Sequence, residues 1–515
     1  MNGNYKRKTG RIFVILFIGL LYVNTAYCSI KSDSSKFINF DTAYNTKAGD
    51  QVLAAIGKKQ ITVREFLTSY EFGPSFTKRK KHSKRLYLRF MINEKLLALY
   101  GYSLDIDTTQ EVKNLLGAIS GDIASDAMFM NKIFNKIKVP KAELDSALRE
   151  NQITYEIKWL YAPNIDSLKF FRLKLAAGIS FGTLFTEQLK RDSVFSDQRS
   201  MKIGKFKLSS RNPVLSKVVD TLKAGEISKP VKAPDGYYIV KLVDVWKNEI
   251  LTQTMKEKEL HDSRLVIKRD KSDKLSDVYV QRLMLKYNPV IKGRAFDLLK
   301  AYIGSYVLTK KKYADWKLSA RLKSELNHFS KKNIKDIKLI SLSNGELTLD
   351  DFINWYKVRE NYLQFNKKNF NTFSASLGKM IWQMVRDHLL IHQAYNEGYL
   401  NRKLVKEQIG WWKDKIVYAV VRDRLAHSVG LNIESPHYLQ SKYTNKRHKL
   451  LAKVLHKVLA LREKYKIKIN YRLLNRIEVQ TKDDPQAVFF YIVKEGGTYP
   501  HPAYPSIDLS WQRWE

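Results

Sequence analysis

Leu222-Lys223-Ala224-Gly225-Glu226-Ile227-Ser228-Lys229-Pro230-Val231, followed by Asp235-Gly236-Tyr237-Tyr238-Ile239-Val240-Lys241-Leu242, is the stretch on which the fold turns. Gly225-Glu226-Ile227-Ser228 reverses the chain. Pro230-Val231 and the aromatic and β-branched run from Gly236 to Leu242 supply closing antiparallel strands. Upstream, the same α/β rhythm reaches back to about Thr154. Tyr155-Glu156-Ile157-Lys158-Trp159-Leu160 reads as a strand, and a helix carrying Phe170, Leu173 and Leu175 ends before Gly178. Phe181 to Phe185 opens a second helix, Met201 to Phe206 returns to strand, and Val214 to Leu222 is helical. Residues 154–248 are therefore expected to form a small α+β domain.

On either side of this segment the pattern becomes helical. Val52-Leu53-Ala54-Ala55-Ile56 and Gln60-Ile61 read as two short strands around Gly57-Lys58-Lys59, and Thr62 with Glu65 forms a capping box before Phe66. The device returns 286 residues later, where Asn344-Gly345 precedes Thr348, Asp351 and Phe352. Ile92-Asn93-Glu94-Lys95-Leu96-Leu97 likewise matches Val385-Arg386-Asp387-His388-Leu389-Leu390, with 16 residues from Leu96 to Val112 and 16 from Leu389 to Val405. An ungapped match of this length identifies a duplicated helical unit. Stripes through Val112, Leu116, Ile119 and Ile123, and through Val405, Ile409, Trp412 and Ile416, read as core faces. From Phe66 to the closing Tyr287 is 221 residues, and from Phe352 to the corresponding Tyr465 is 113. The excess of 108 is one compact domain inserted in the first copy and missing from the second.

The expected organisation is a signal peptide over 1–28, a polar linker over 29–50 and a helical unit over 51–153. The α+β insert follows over 154–248, then a helical closing segment and linker over 249–340. A second helical unit without the insert spans 341–480, and a tail over 481–515 reads as an added strand or a partner-docking segment.

The order of elements in the insert, with the Gly225-Glu226-Ile227-Ser228 turn and the Gly236-Tyr237-Tyr238 strand, resembles a parvulin domain. With the preceding helical unit, residues 52–300 resemble the SurA-like and PpiC-type periplasmic prolyl isomerases, and the second unit resembles the same scaffold without the isomerase. The resemblance implies a mainly α scaffold, a duplicated SurA-like helical unit, with an inserted α+β parvulin domain. It implies rotation about X-Pro bonds, which takes tens to hundreds of seconds unaided. Such a site seats the proline ring in an apolar pocket and offers donors to the twisted amide; no proton need move. The family's opening-strand histidine falls on Lys158 and its closing Gly-Tyr-His on Gly236-Tyr237-Tyr238, so both histidines are replaced. The pocket Phe falls on Leu215, and the polar residue after the second helix on Asp192 or Asp197. Three readings stay open: an active isomerase and chaperone, a holding chaperone with a silent parvulin fold, and a structural subunit of an envelope complex.

The first residues address compartment. Lys6, Arg7, Lys8 and Arg11 precede an apolar run from Ile12 to Val23. That run is shorter than the ~20 residues of a membrane-spanning helix and within the ~7 to 15 of a secretory signal. Cleavage follows Ala26 or Cys28; acylation of Cys28, the one cysteine, is the alternative, with bulky Tyr27 against it. Export to the periplasm is the expectation. The net charge of +40 falls to +36 without residues 1–28. Export excludes nucleic acid as the partner, leaving solvated basic faces, an anionic membrane surface or acidic clients. The expected partners are unfolded or proline-containing polypeptides, outer-membrane proteins among them. The ten histidines show no metal-binding spacing and no Gly-rich phosphate loop occurs, so no metal or cofactor is expected; His388 and His392 read as an incidental pair.

Overall fold

The computed structural model describes residues 37–78, 80–192, 196–233, 236–248, 252–329, 333–360, 363–433, 441–479 and 504–514. The expected signal peptide, Cys28 and most of the 481–515 tail lie outside these residues. The described chain divides into two compact units, residues 137–272 and a scaffold built from the chain on either side.

The scaffold opens with α1 (Phe40–Asn45), β1 (Val52–Ile56), β2 (Lys59–Thr62), α2 (Val63–Glu71), α3 (Ser75–Lys78), α4 (Ser83–Tyr102) and α5 (Gln110–Lys132). The first part of this stretch was expected to be linker. Instead, Asn39 caps α1 by accepting from the Thr42 amide at 2.9 Å, and Arg64 donates to the Ala43 carbonyl at 3.1 Å, which ties α1 to α2. The second unit comprises α6 (Lys141–Asn151), β3 (Ile153–Ala162), α7 (Ile165–Ala176), α8 (Phe181–Asp192), β4 (Ser200–Gly204), α9 (Lys205–Arg211) and α10 (Pro213–Val219). It closes with β5 (Val231–Ala233), β6 (Gly236–Lys247) and the first part of the 35-residue helix α11 (Gln253–Tyr287). The chain returns to the scaffold through β7 (Val290–Ile291), α12 (Gly293–Val307), α13 (Lys310–Asp315), α14 (Leu318–His328), β8 (Lys338–Leu342), β9 (Gly345–Thr348) and α15 (Leu349–Arg359). It ends with α16 (Phe370–Asn396), α17 (Lys403–His427), α18 (Thr444–Lys464), β10 (Ile467–Ile469), α19 (Tyr471–Arg476) and α20 (Trp511–Trp514).

The scaffold is built twice from one pattern. Hairpin β1–β2 carries a bulge between Val52 and Ala54, and hairpin β8–β9 carries one between Lys338 and Ile340, both at the 286-residue spacing of the caps. Phe66 and Phe352 are fully buried at equivalent places on α2 and α15. The full capping box forms only in the second copy, where Thr348 and Asp351 exchange bonds of 2.7 and 3.2 Å. In the first, Thr62 accepts from the Glu65 amide, but the Glu65 carboxylate turns inward to Lys95 at 2.7 Å. Burial there is tolerable because the ion pair supplies a partner.

Each hairpin gains a third strand from the other copy. β10, at the end of the second repeat, pairs with β1 in the first, placing Ile469 opposite Ala54. β7, at the end of the first, pairs with β8 in the second, placing Ile291 opposite Ile340. The two registers coincide at the 286-residue spacing. Helices interlock in the same reciprocal way, α4 against α17 and α16 against α5. Gly101 sits where an added Cβ would lie 2.4 Å from Val417 Cγ1, so the close approach of α4 to α17 depends on its missing side chain. His392 Nδ1 lies 3.5 Å from the Tyr287 hydroxyl, and burial pushes the His388 imidazole below its ordinary range.

Candidate functional site in the inserted domain

The 137–272 unit is organised by an antiparallel sheet in the order β4-β3-β6-β5. Because side chains alternate across a sheet, β3 presents Tyr155, Ile157, Trp159 and Tyr161 to one face and Glu156, Lys158, Leu160 and Ala162 to the other. The first face meets α9 and α10 in a cluster with Leu208, Leu215, Val219, Val240 and Leu242. The second meets α7 and α8 in a cluster with Leu168, Phe171, Phe181, Leu184 and Ile239. Met201 to Gly204 extend the sheet as expected, but Lys205 and Phe206 begin α9 rather than continuing the strand.

The register settles which expected residues converge. Tyr238 on β6 lies opposite Tyr161 on β3, and Val240 opposite Trp159. The Tyr161 and Tyr238 rings stand 5.4 Å apart at 59° beside the cluster that contains Leu215. Lys158 is opposite Lys241 and points to the other face, its ammonium 5.7 Å from the centre of the Phe185 ring. Lys158 and Tyr238, which the resemblance assigns to one site, thus lie on opposite faces of the sheet. A one-residue step along β3 changes the face, and the residue that shares the face of Tyr238 is Trp159.

Asp192 joins the site through an intermediary. Its carboxylate accepts from Arg199 Nη2 at 3.4 Å, and the Arg199 guanidinium lies 5.0 Å from the centre of the Tyr161 ring. Asp197, the alternative, sits in the short turn Ser196–Gln198 with an exposed side chain. Gln188 on α8, almost fully buried, braces β3 from behind: its amide donates to the Tyr161 carbonyl at 2.6 Å and its carbonyl accepts from the Tyr161 amide at 3.0 Å. Gly236 starts β6 at φ 150°, and an added Cβ would stand 2.7 Å from the Ala162 carbonyl oxygen. Only glycine fits there, so this residue sets how closely Tyr237 and Tyr238 approach β3.

The result is an apolar cluster in which Trp159 and Leu215 are buried and Met201 is partly exposed, edged by two phenols and an arginine. A phenol can donate one hydrogen bond to an amide, and an apolar floor suits a proline ring. No imidazole or thiol stands between Ile137 and Ile250 in the sequence. Trp159, Tyr161, Gln188 and Arg199 were not singled out from the sequence. For the first two, the period-2 alternation of β3, set against Tyr238, was the available signal. Among the described residues, no group of three or more His, Cys, Asp or Glu is placed to hold a metal ion.

Residues 180–244 match the family described as the PPIC-type PPIASE domain, Rotamase. The chain thus carries a PpiC-type parvulin domain in a mainly helical scaffold. It is 26% identical over 216 residues to Foldase protein PrsA 2 of Bacillus anthracis, a match covering 37% of this chain and 72% of that relative. It is 28% identical over 120 residues to Foldase protein PrsA 2 of Bacillus cereus, covering 21% and 41%. Similar solved structures include the peptidylprolyl isomerase PrsA of Bacillus cereus, at 15% identity and a TM-score of 0.19 over 44% of this chain and 86% of that one. The foldase protein PrsA of Streptococcus pneumoniae gives 14% identity and a TM-score of 0.22 over 43% and 87%.

Proposed function

We infer that this protein is an exported foldase that binds unfolded, proline-containing polypeptides and speeds rotation about their X-Pro bonds. The observation that carries the reading is the Tyr161–Tyr238 pair beside the Trp159–Leu215 cluster, in a domain that matches the PpiC type. The barrier to amide rotation is ~18–20 kcal/mol in the planar ground state. Seating the ring on apolar surface while a phenol donates to the twisted amide favours the rotated form without moving a proton. Tyr238 is the proposed donor, Trp159 and Leu215 form the floor, and the Asp192–Arg199 pair fixes the Tyr161 ring.

Export rests on the basic and apolar start of the sequence, with the periplasm as the destination and cleavage before residue 29. No helix among the described residues is long and apolar enough to cross a membrane. Outer-membrane proteins are the proposed clients, and the high positive charge suits acidic segments of clients or an anionic lipid surface. The proposed domain limits are 51–153, 154–248, 249–340 and 341–480.

A second reading, a holding chaperone with a catalytically silent parvulin fold, is favoured by the missing imidazoles. The isomerisation rate of a proline tetrapeptide separates the two. The full chain is expected to raise the rate, Tyr238→Phe to remove at least 90% of the gain, and Lys158→Ala, on the opposite face, to change it less than twofold. A rate that the unmodified chain leaves at the uncatalysed value would select the silent reading. With no histidine or cysteine between Ile137 and Ile250, the accelerated rate is expected to stay flat between pH 6 and 8.

A further inference from the structure

The two copies of the scaffold unit each bury a carboxylate at the same place. Glu94 on α4 and Asp387 on α16 are 293 residues apart, the spacing of the repeat at these helices. Each carboxylate takes an indole N–H at 2.9 Å, Asp387 from Trp355 and Glu94 from Trp511. The sources differ. Trp355 belongs to α15 of its own copy. The equivalent position on α2, 286 residues earlier, is Ser69, too small to reach Glu94. The gap left by Ser69 is filled from the far end of the chain by residues 504–514.

That segment is held by two of its backbone amides and by three of its side chains. The Asp508 amide donates to Glu94 at 2.7 Å, and the Ile507 amide lies 3.4 Å from the Tyr87 hydroxyl. The Asp508 carboxylate meets Arg422 on α17. Two rings anchor the ends: Trp511 stacks on Phe90 at 5.2 Å, and Tyr504 on Phe72 at 4.9 Å. The fit is not complete. A cavity of about 40 Å³ remains, lined by Glu65, Ser69, Met91, Glu94, Trp411 and Ile507. Beside it, Lys95 holds Glu65 and Asp414 at 2.7 and 2.6 Å, so this polar floor is assembled from scaffold residues alone.

We propose that the groove between α2, α4 and α17 is a polypeptide-binding site for a segment bearing an aromatic residue at each end and an acidic residue between, and that residues 504–514 occupy it as an internal competitor. The proposal rests on the reading of the protein as a foldase with polypeptide clients. The chain's own segment is the template for the ligand: a backbone N–H and an indole N–H for Glu94, a backbone N–H for the Tyr87 hydroxyl, a carboxylate for Arg422, and rings for Phe90 and Phe72. A tethered competitor acts at an effective concentration in the millimolar range. The closed groove therefore admits only clients that match it or present many such segments, and each client bound releases the tail.

The test uses the full chain, its Trp511→Ala variant, and a fluorescent peptide with the sequence of residues 504–515. Trp511→Ala is expected to bind the peptide at least tenfold more tightly than the unmodified chain, and a peptide with Ala for Trp is expected not to bind. A permanently unfolded, carboxymethylated protein is expected to compete with the peptide. Hydrogen exchange on the unmodified chain supplies a readout that needs no variant: the Ile507 and Asp508 amides should lose protection when the unfolded protein is added. Equal peptide affinities in both chains, or amides that stay protected while the unfolded protein binds, would make the tail a fixed structural joint and overturn the proposal. So would a concentration-dependent dimer formed by tail exchange whose amides ignore the unfolded protein. If the chain bound no unfolded protein at all, the foldase reading would fail while the peptide arm still decided the groove.

Discussion

The two halves of the scaffold meet one electrostatic problem with opposite arrangements. In the first, Glu94 is paired with Lys415 at 2.8 Å across α4 and α17. The position equivalent to Lys415 in the other half is Asp122 on α5, so a second carboxylate stands where the cation would be. The cation comes instead from α15: Arg359 binds Asp122 at 2.6 Å and lies 3.5 Å from Asp387, while Arg386 takes Asp387 at 2.7 Å. In the second half, Asp387 thus takes its indole and its cations from helices of its own copy, and only Asp122 reaches across from the other. The first keeps a separable pair and leaves its last hydrogen bonds to a distant segment. A duplicated unit can hold its packing fixed while one copy becomes a sealed joint and the other an adaptable one.

The largest effect should come from the sealed joint. Arg359→Ala leaves two buried carboxylates short of their shared cation, and breaking a buried ion pair this way costs ~3–5 kcal/mol. A denaturant midpoint unchanged from the parent chain would show that the joint is not where stability resides. Next comes the contrast between the two tryptophans. Trp355 is half-buried, but its indole serves the buried Asp387, so Trp355→Ala should lower global stability by about 2 kcal/mol, the cost of leaving that acceptor short of a donor. Trp511→Ala should cost less than about 1 kcal/mol globally, because a terminal segment can open locally without unfolding the rest. Equal losses would erase the distinction between the halves.

The smallest of these effects is on pH dependence. Burial, with Asp387 nearby, pushes the Asp122 carboxyl up to about 7, and Arg359 only partly offsets this. Its folded-state affinity for a proton exceeds the unfolded value. Its contribution is therefore fully present below the unfolded pKa and is lost as pH rises through about 7. Burial pushes Glu94 and Glu65 in the same direction. Asp508 is the reverse case: despite burial, Lys415 and Arg422 hold it down to about 2, so its contribution persists above the ordinary carboxylate range and is lost only in strong acid. The melting temperature of the full chain should fall between pH 5 and 8, and Asp122→Asn should flatten that slope. An unchanged slope in the variant would assign the dependence elsewhere.

Much of this architecture is written in local chemistry. The caps at Thr62 and Thr348, the Gly345 turn and the 16-residue spacing after Leu96 and Leu389 mark the repeat, and the 108-residue excess marks the insertion. The closing strands β7 and β10 were not legible, because two or three residues carry no signal for a partner hundreds of positions away. The tail was equally opaque: Trp511 has no periodic context, and what defines its place is the absence of bulk at Ser69. In the parvulin domain the elements were legible and the face was not. Lys158 and Trp159 are neighbours in sequence, and only the pairing of Tyr161 with Tyr238 decides which one joins the site.

Tyr238, without an imidazole beside it, has to be enough for this domain to act on folding chains. The direct measurement is the refolding of a protein whose slow phase is limited by prolyl isomerisation, followed with the full chain and with its Tyr238→Phe variant. The full chain is expected to accelerate the slow phase, and Tyr238→Phe to abolish the acceleration while suppressing aggregation as well as the parent does. A slow phase that the unmodified chain leaves unchanged at equimolar concentration would contradict this expectation.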